Sequence, residues 1–166
     1  MRHKMLYLLL FLGLFTIACG QKKEKTVNRV VDNAHILTDE QISSLTEQII
    51  DLEKSVGSQI VILTIESLEG EKMEDYSLRI ANEWGIGRKD YDDGILITVS
   101  IQDRLMRIEV GYGLEKIIKD EIADQISRED MVPSFRTNDY YEGLYKAVNK
   151  IKALIKDNED LVGQRY

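Results

Sequence analysis

The chain has 166 residues, with 22 lysines and arginines against 29 aspartates and glutamates, a net charge of −7. That acidic balance argues against nucleic acid as a partner, because attraction to phosphates needs a basic face. One cysteine and two histidines leave no material for cysteine catalysis, zinc thiolate sites or multi-histidine metal sites.

The order at the amino terminus is that of a secretory signal peptide over residues 1–18. Met1 to Lys4 is basic, Leu6 to Phe15 is apolar, and Thr16-Ile17-Ala18 ends in small residues before Cys19. A spanning helix needs about 20 apolar residues, and this run is shorter. Ile17-Ala18-Cys19 resembles the lipobox of bacterial lipoproteins, in which the cysteine becomes the lipid-bearing amino terminus. Thr16 stands where leucine is usual. The alternative is cleavage elsewhere, leaving a free thiol in a secreted chain. The first reading predicts a protein anchored by fatty acyl chains on Cys19, outside the cytoplasm, in a bacterial cell envelope. Residues 19–26 then form a polar tether whose lysines can lie near anionic headgroups. Residues 27–157 have the length of one domain, and 158–166 read as a tail.

Thr38 followed by Gln41 forms a capping-box pattern, and Ile42, Leu45, Ile49, Leu52 and Val56 recur at helical spacing until Gly57. Gln59 to Ile65 is a β-branched apolar run of strand length. A helix follows from Met73 to Trp84, with Tyr76, Ile80 and Trp84 on one stripe, and Ile95 to Ile101 is a second buried strand. Strand, helix, strand predicts a βαβ unit with a right-handed crossover. Gln102-Asp103 breaks the apolar pattern as a hairpin turn would, and Leu105 to Val110 is the returning antiparallel strand. Two more helices are predicted, Lys119 to Arg128 and Asp139 to Lys156. The fold class is α/β, a three-layer α/β/α sandwich with a small mixed β-sheet.

The hairpin should return Gly111 to Glu115 to the start of the strand after Asp92-Asp93-Gly94. Two acidic, glycine-rich turns then become one candidate pocket, holding Asp92, Asp93 and Glu115, with Asp32 or Asp120 as additions. Close carboxylate pairs repel by about 4 kcal/mol at an effective dielectric near 20. Such groups stay apart, take up protons, or bind a hard cation such as Ca2+ or Mg2+. The bland reading is a solvated acidic loop. Arg107, Arg136 and Arg88 are candidate oxyanion partners, with Arg107 equally placed to pair with Glu109. Tyr112, Tyr140 and Tyr141 line either a pocket or the core. His35 has no Gly-x-Ser-x-Gly elbow to accompany it and reads as structural or exposed.

Val31-Asp32-Asn33-Ala34, Trp84-Gly85-Ile86-Gly87, Asp92-Asp93-Gly94-Ile95-Leu96, Arg107 to Glu115, Pro133-Ser134-Phe135-Arg136 and Asp139-Tyr140 together resemble the TPM domain. The resemblance spans nearly all of Val27 to Ile155. That family includes a plant thylakoid-lumen protein linked to photosystem II repair and many bacterial envelope proteins. The resemblance implies an α/β/α sandwich, an acidic pocket for a divalent metal, and the acid phosphatase activity attributed to the plant member. Where the family commonly has Asp-Asn-Gly, this chain has Asp92-Asp93-Gly94, which adds a charge. Many bacterial relatives continue into a transmembrane helix and a glycine-rich tail, whereas this sequence stops at Tyr166.

Two functions follow. In the first, Asp92, Asp93 and Glu115 hold a metal, Asp32 supplements it, Arg107 or Arg136 steadies a phosphomonoester, and a metal-polarised water or a carboxylate attacks. In the second, the pocket is a non-catalytic cation site, and the domain assists assembly or turnover of envelope proteins.

Overall fold

The computed structural model describes residues 28–164. The signal peptide, Cys19 and the tether lie outside the described residues. One mixed sheet is formed by β1 (Val30–Asp32), β2 (Gln59–Ile65), β3 (Gly94–Ser100) and β4 (Leu105–Val110), in that spatial order. The first three strands are parallel and β4 is antiparallel to β3. β1 is the strand that periodicity misses. Three residues are too few to show alternation, and the strand exists through pairing with distant residues, Val30 opposite Ile62.

Alternation along the strands makes two cores. Ile60, Ile62, Ile95, Ile97 and Val99 face α1 (Asp39–Val56) and α5 (Tyr140–Asp157), while Val61, Leu63, Ile65 and Leu96 face α2 (Met73–Trp84). Every residue of β3 is buried. Burying one such aliphatic side chain contributes about 1.5–3 kcal/mol, so the central strands anchor the three layers.

The two parallel connections step across the sheet in the same direction, yet α1 and α2 lie on opposite faces. The two crossovers therefore have opposite hands, and only one can have the expected right hand. Left-handed crossovers are rare because strand twist disfavours them.

Thr38 caps α1 as its sequence predicts. The Gln41 N–H donates to Thr38 Oγ1 at 3.3 Å, and the Thr38 N–H donates to Gln41 Oε1 at 2.9 Å. On the far side of α1, buried Lys152 of α5 donates to Gln48 Oε1 at 2.7 Å and, with Lys156, holds Asp51 at 3.2 and 3.0 Å. Lys156 and then Lys152 keep the Asp51 carboxyl below its ordinary range.

The helix predicted over Lys119 to Arg128 is α3 (Asp120–Ile126), which widens into a π turn at Ser127–Met131 and resumes as α4 (Val132–Phe135). Pro133 explains the change, because its missing N–H breaks the regular ladder.

Candidate functional site

The β3–β4 hairpin brings the two acidic turns together. The Gly111 N–H donates to the Gly94 carbonyl at 2.8 Å, and the Gly113 N–H to the Asp92 carbonyl at 3.0 Å. Approach is so close that a Cβ on Gly113 would lie 1.7 Å from the Tyr91 carbonyl oxygen. Asp92 takes the left-handed conformation, φ 49°, and with Glu115 is half-buried at the rim of this corner. Tyr112 projects from it, 68% exposed.

Asp93 points inward. It is 0% exposed, and its Oδ1 accepts the Arg88 N–H at 2.7 Å. Its Oδ2 accepts Arg88 Nε at 2.8 Å, Nη2 at 2.5 Å and the Ser58 hydroxyl at 3.3 Å. One carboxylate thus meets four donors in a buried ion pair. The Arg88 guanidinium also stacks on Tyr91, 3.9 Å from the ring centroid. It occupies the space where a side chain on Gly57 would stand, since a Cβ there would lie 2.4 Å from Arg88 Nη1.

The remaining predicted residues lie elsewhere. Asp32 ends β1, opposite Thr64 and therefore at the other end of the sheet. There it accepts the Ile36 and Leu37 N–H groups at 3.3 and 2.9 Å and the Thr64 hydroxyl, which fixes the loop carrying His35. Asp120 is exposed in the first turn of α3. Arg107 pairs with Glu109 at 2.6 Å; it stands opposite Thr98, and both lie on the α2 face of the sheet. Arg136 follows α4 beside a groove at the carboxyl end of β3. β3 has seven residues, so the groove lies about 20 Å from the acidic corner at about 3.3 Å per residue.

The turns that carry Asp92 and Glu115 meet at this corner, and the Asp93 side chain is turned inward beneath them. It does not gather Asp32, Arg107 or Arg136. Among the described residues, no three His, Cys, Asp or Glu side chains converge to hold a metal ion. Tyr141 bonds Ser44 at 2.9 Å between α5 and α1, while Tyr140 lines the groove. Sequence reasoning named Arg88 as an oxyanion partner but not its anion, which is Asp93, five residues on. It missed Ser58 altogether, because only the β2–β3 register places Ser58 beside Asp93. The segment read as a tail carries a 3-10 turn at Glu159–Leu161, after which the Gly163 N–H donates to the Gly113 carbonyl at 2.9 Å.

The sequence model of the TPM domain matches residues 30–154. No curated protein matches the sequence. The N-terminal domain of a P. gingivalis protein is similar in structure, with a TM-score of 0.74 and 26% identity over 84% of this chain and 88% of that one. A protein from the psychrophilic bacterium Bizionia argentinensis gives 0.64 and 19%, over 73% and 82% of the two chains. The N-terminal domain of a Corynebacterium glutamicum protein gives 0.62 and 13%, over 80% and 83%. The latter two likenesses bear on the fold alone. With the domain match running from β1 into α5 and the three-layer sheet in place, the chain belongs to the TPM domain family.

Proposed function

We propose that this protein is a lipid-anchored, extracytoplasmic module of the bacterial cell envelope that binds rather than catalyses, with a weak divalent-cation site at the Asp92 and Glu115 corner. The observation that carries the choice between binding and phosphomonoester hydrolysis is the distance of Arg136 from the corner. A phosphomonoester held at the corner has no arginine to steady it, since Arg107 is committed to Glu109 and Arg88 to Asp93. Asp93, one of the three carboxylates expected to hold a metal, is already satisfied by four donors. Lipid on Cys19 supplies the anchor, and envelope proteins are the partners in assembly or turnover.

A Ca2+ ion at this corner would be held by the carboxylates of Asp92 and Glu115, with water completing its oxygen shell. Two carboxylates place affinity in the weak range of extracellular modules, about 10−4 to 10−3 M. Calcium titration followed by amide shifts tests this. The shifts should centre on residues 90–93 and 111–115, and Asp92→Asn or Glu115→Gln should remove them without unfolding the domain. At ten times the dissociation constant, calcium should add about 1.4 kcal/mol of stability. Hydrolysis of p-nitrophenyl phosphate by the wild type should not exceed that by Asp92→Asn prepared identically. Activity that Asp92→Asn abolishes would restore the phosphatase reading.

A further inference from the structure

A groove of about 610 Å3 opens at the end of the hairpin away from the acidic corner. Val99 and Met106 contribute apolar surface, Phe135 and Tyr140 meet at 5.1 Å between ring centroids, and Arg104 and Arg136 are both exposed along it. Arg29, Arg79, Arg88 and Arg107 each meet a carboxylate. Arg104, Arg128 and Arg136 meet none among the described residues, and of these Arg104 and Arg136 share the groove. In a chain of net charge −7, two such guanidiniums on one apolar groove mark it for an anionic, partly apolar ligand.

The neighbouring strand narrows the ligand class. β4 is the edge of the sheet. The Gly111 N–H bond to Gly94, continued by antiparallel alternation, turns the backbone groups of residues 105, 107 and 109 toward β3. Those of Met106, Ile108 and Val110 point outward and have no hydrogen-bond partner among the described residues. An open strand edge running into an apolar groove is the geometry of strand addition, where main-chain bonds give affinity and side-chain pockets give specificity.

We propose that an extended peptide adds alongside β4 and places an apolar residue followed by a carboxylate in this groove, the carboxylate facing Arg104 and Arg136. Charge complementarity fixes the acid, and the Phe135 and Tyr140 rings take the apolar residue. The site is separate from the cation corner and does not depend on it.

The probe is a fluorescein-labelled hexapeptide of alternating threonine and valine ending in Leu-Glu with a free carboxylate, offered to the full-length chain in lipid nanodiscs. Anisotropy should show saturable binding. The Arg104→Gln/Arg136→Gln variant should raise the dissociation constant at least about tenfold, roughly 1.4 kcal/mol. Its melting temperature should stay unchanged, because neither guanidinium meets a carboxylate among the described residues. The same peptide ending in an amidated Leu-Gln should lose affinity to a similar extent. Amide exchange at Met106 and Ile108 should slow on binding, and calcium-induced shifts at the acidic corner should persist in the double arginine variant. The proposal is overturned by no binding at about 1 mM peptide, by equal affinity in wild type and double variant, or by binding without protection of the β4 edge. It is also overturned if octyl phosphate fills the groove while the peptide does not, since the groove would then be a small-amphiphile site.

Discussion

Arg88→Ala removes the guanidinium from a carboxylate that is 0% exposed. Asp93 keeps only the Arg88 backbone N–H at 2.7 Å and the Ser58 hydroxyl at 3.3 Å. Breaking a buried ion pair from one side costs about 3–5 kcal/mol. The Arg88 side chain is 35% exposed, so water enters on its removal, and the low end, about 3 kcal/mol, is expected. For a domain of this size that lowers Tm by roughly 10 °C. Arg88→Met with Asp93→Asn should recover most of the loss, because the uncompensated charge is gone. Gly57→Ala sharpens the test. Its φ of 93° costs an L-residue about 1–2 kcal/mol, and its new Cβ displaces Arg88 from Asp93. In the Arg88→Ala background only the backbone cost remains, so the two substitutions should fall short of additivity by at least about 0.5 kcal/mol. Urea unfolding of the four proteins, followed by circular dichroism, measures the cycle. An Arg88→Ala cost below about 1 kcal/mol, or strict additivity with Gly57→Ala, would refute the reasoning.

Gly113→Ala forces a methyl group against the Tyr91 carbonyl and should cost at least about 1–3 kcal/mol in thermal unfolding. It should also weaken calcium binding by parting the two turns. Asp103 accepts the Ser100 hydroxyl at 2.6 Å and the Leu68 N–H at 2.7 Å, and both bonds hold its carboxyl below the ordinary value of 3.8. Its contribution to stability is complete above that ordinary value and is lost as pH falls through the lower, folded one. Asp103→Asn should therefore flatten the acid limb of a Tm-against-pH curve below about pH 4 and leave the neutral region parallel to wild type. Mass spectrometry of the membrane fraction should find the mature chain beginning at an acylated Cys19, and Cys19→Ser should release the protein.

α1 could be read from sequence at both ends because its signals are local. Thr38 and Gln41 lie three residues apart, and Gly57 follows the last apolar position. The β3–β4 hairpin was equally accessible, and with it the meeting of the two acidic turns. The direction of the Asp93 side chain was not. Its burial depends on Arg88 folding back, on Ser58 arriving through the β2 register, and on Gly57 leaving room, so three separate elements decide one carboxylate. Asp32 was an expected addition to the three carboxylates, yet its position is set by β1, which has no pattern of its own. Arg136 seemed able to join the carboxylates because sequence does not say at which end of the sheet the turn after α4 comes to rest.

Gly163 sits against the Tyr91 ring and bonds Gly113, which gives the order of chain emergence a role in building the acidic corner. A polypeptide that emerges from the ribosome amino terminus first can pair β2, β3 and β4 before its last helix has appeared. The contact that closes over Tyr91 must wait for almost the final described residue. The hairpin is thus assembled early and latched late, and truncation before Asn158 would leave Asp92 and Glu115 on an unlatched loop while both cores remain in place.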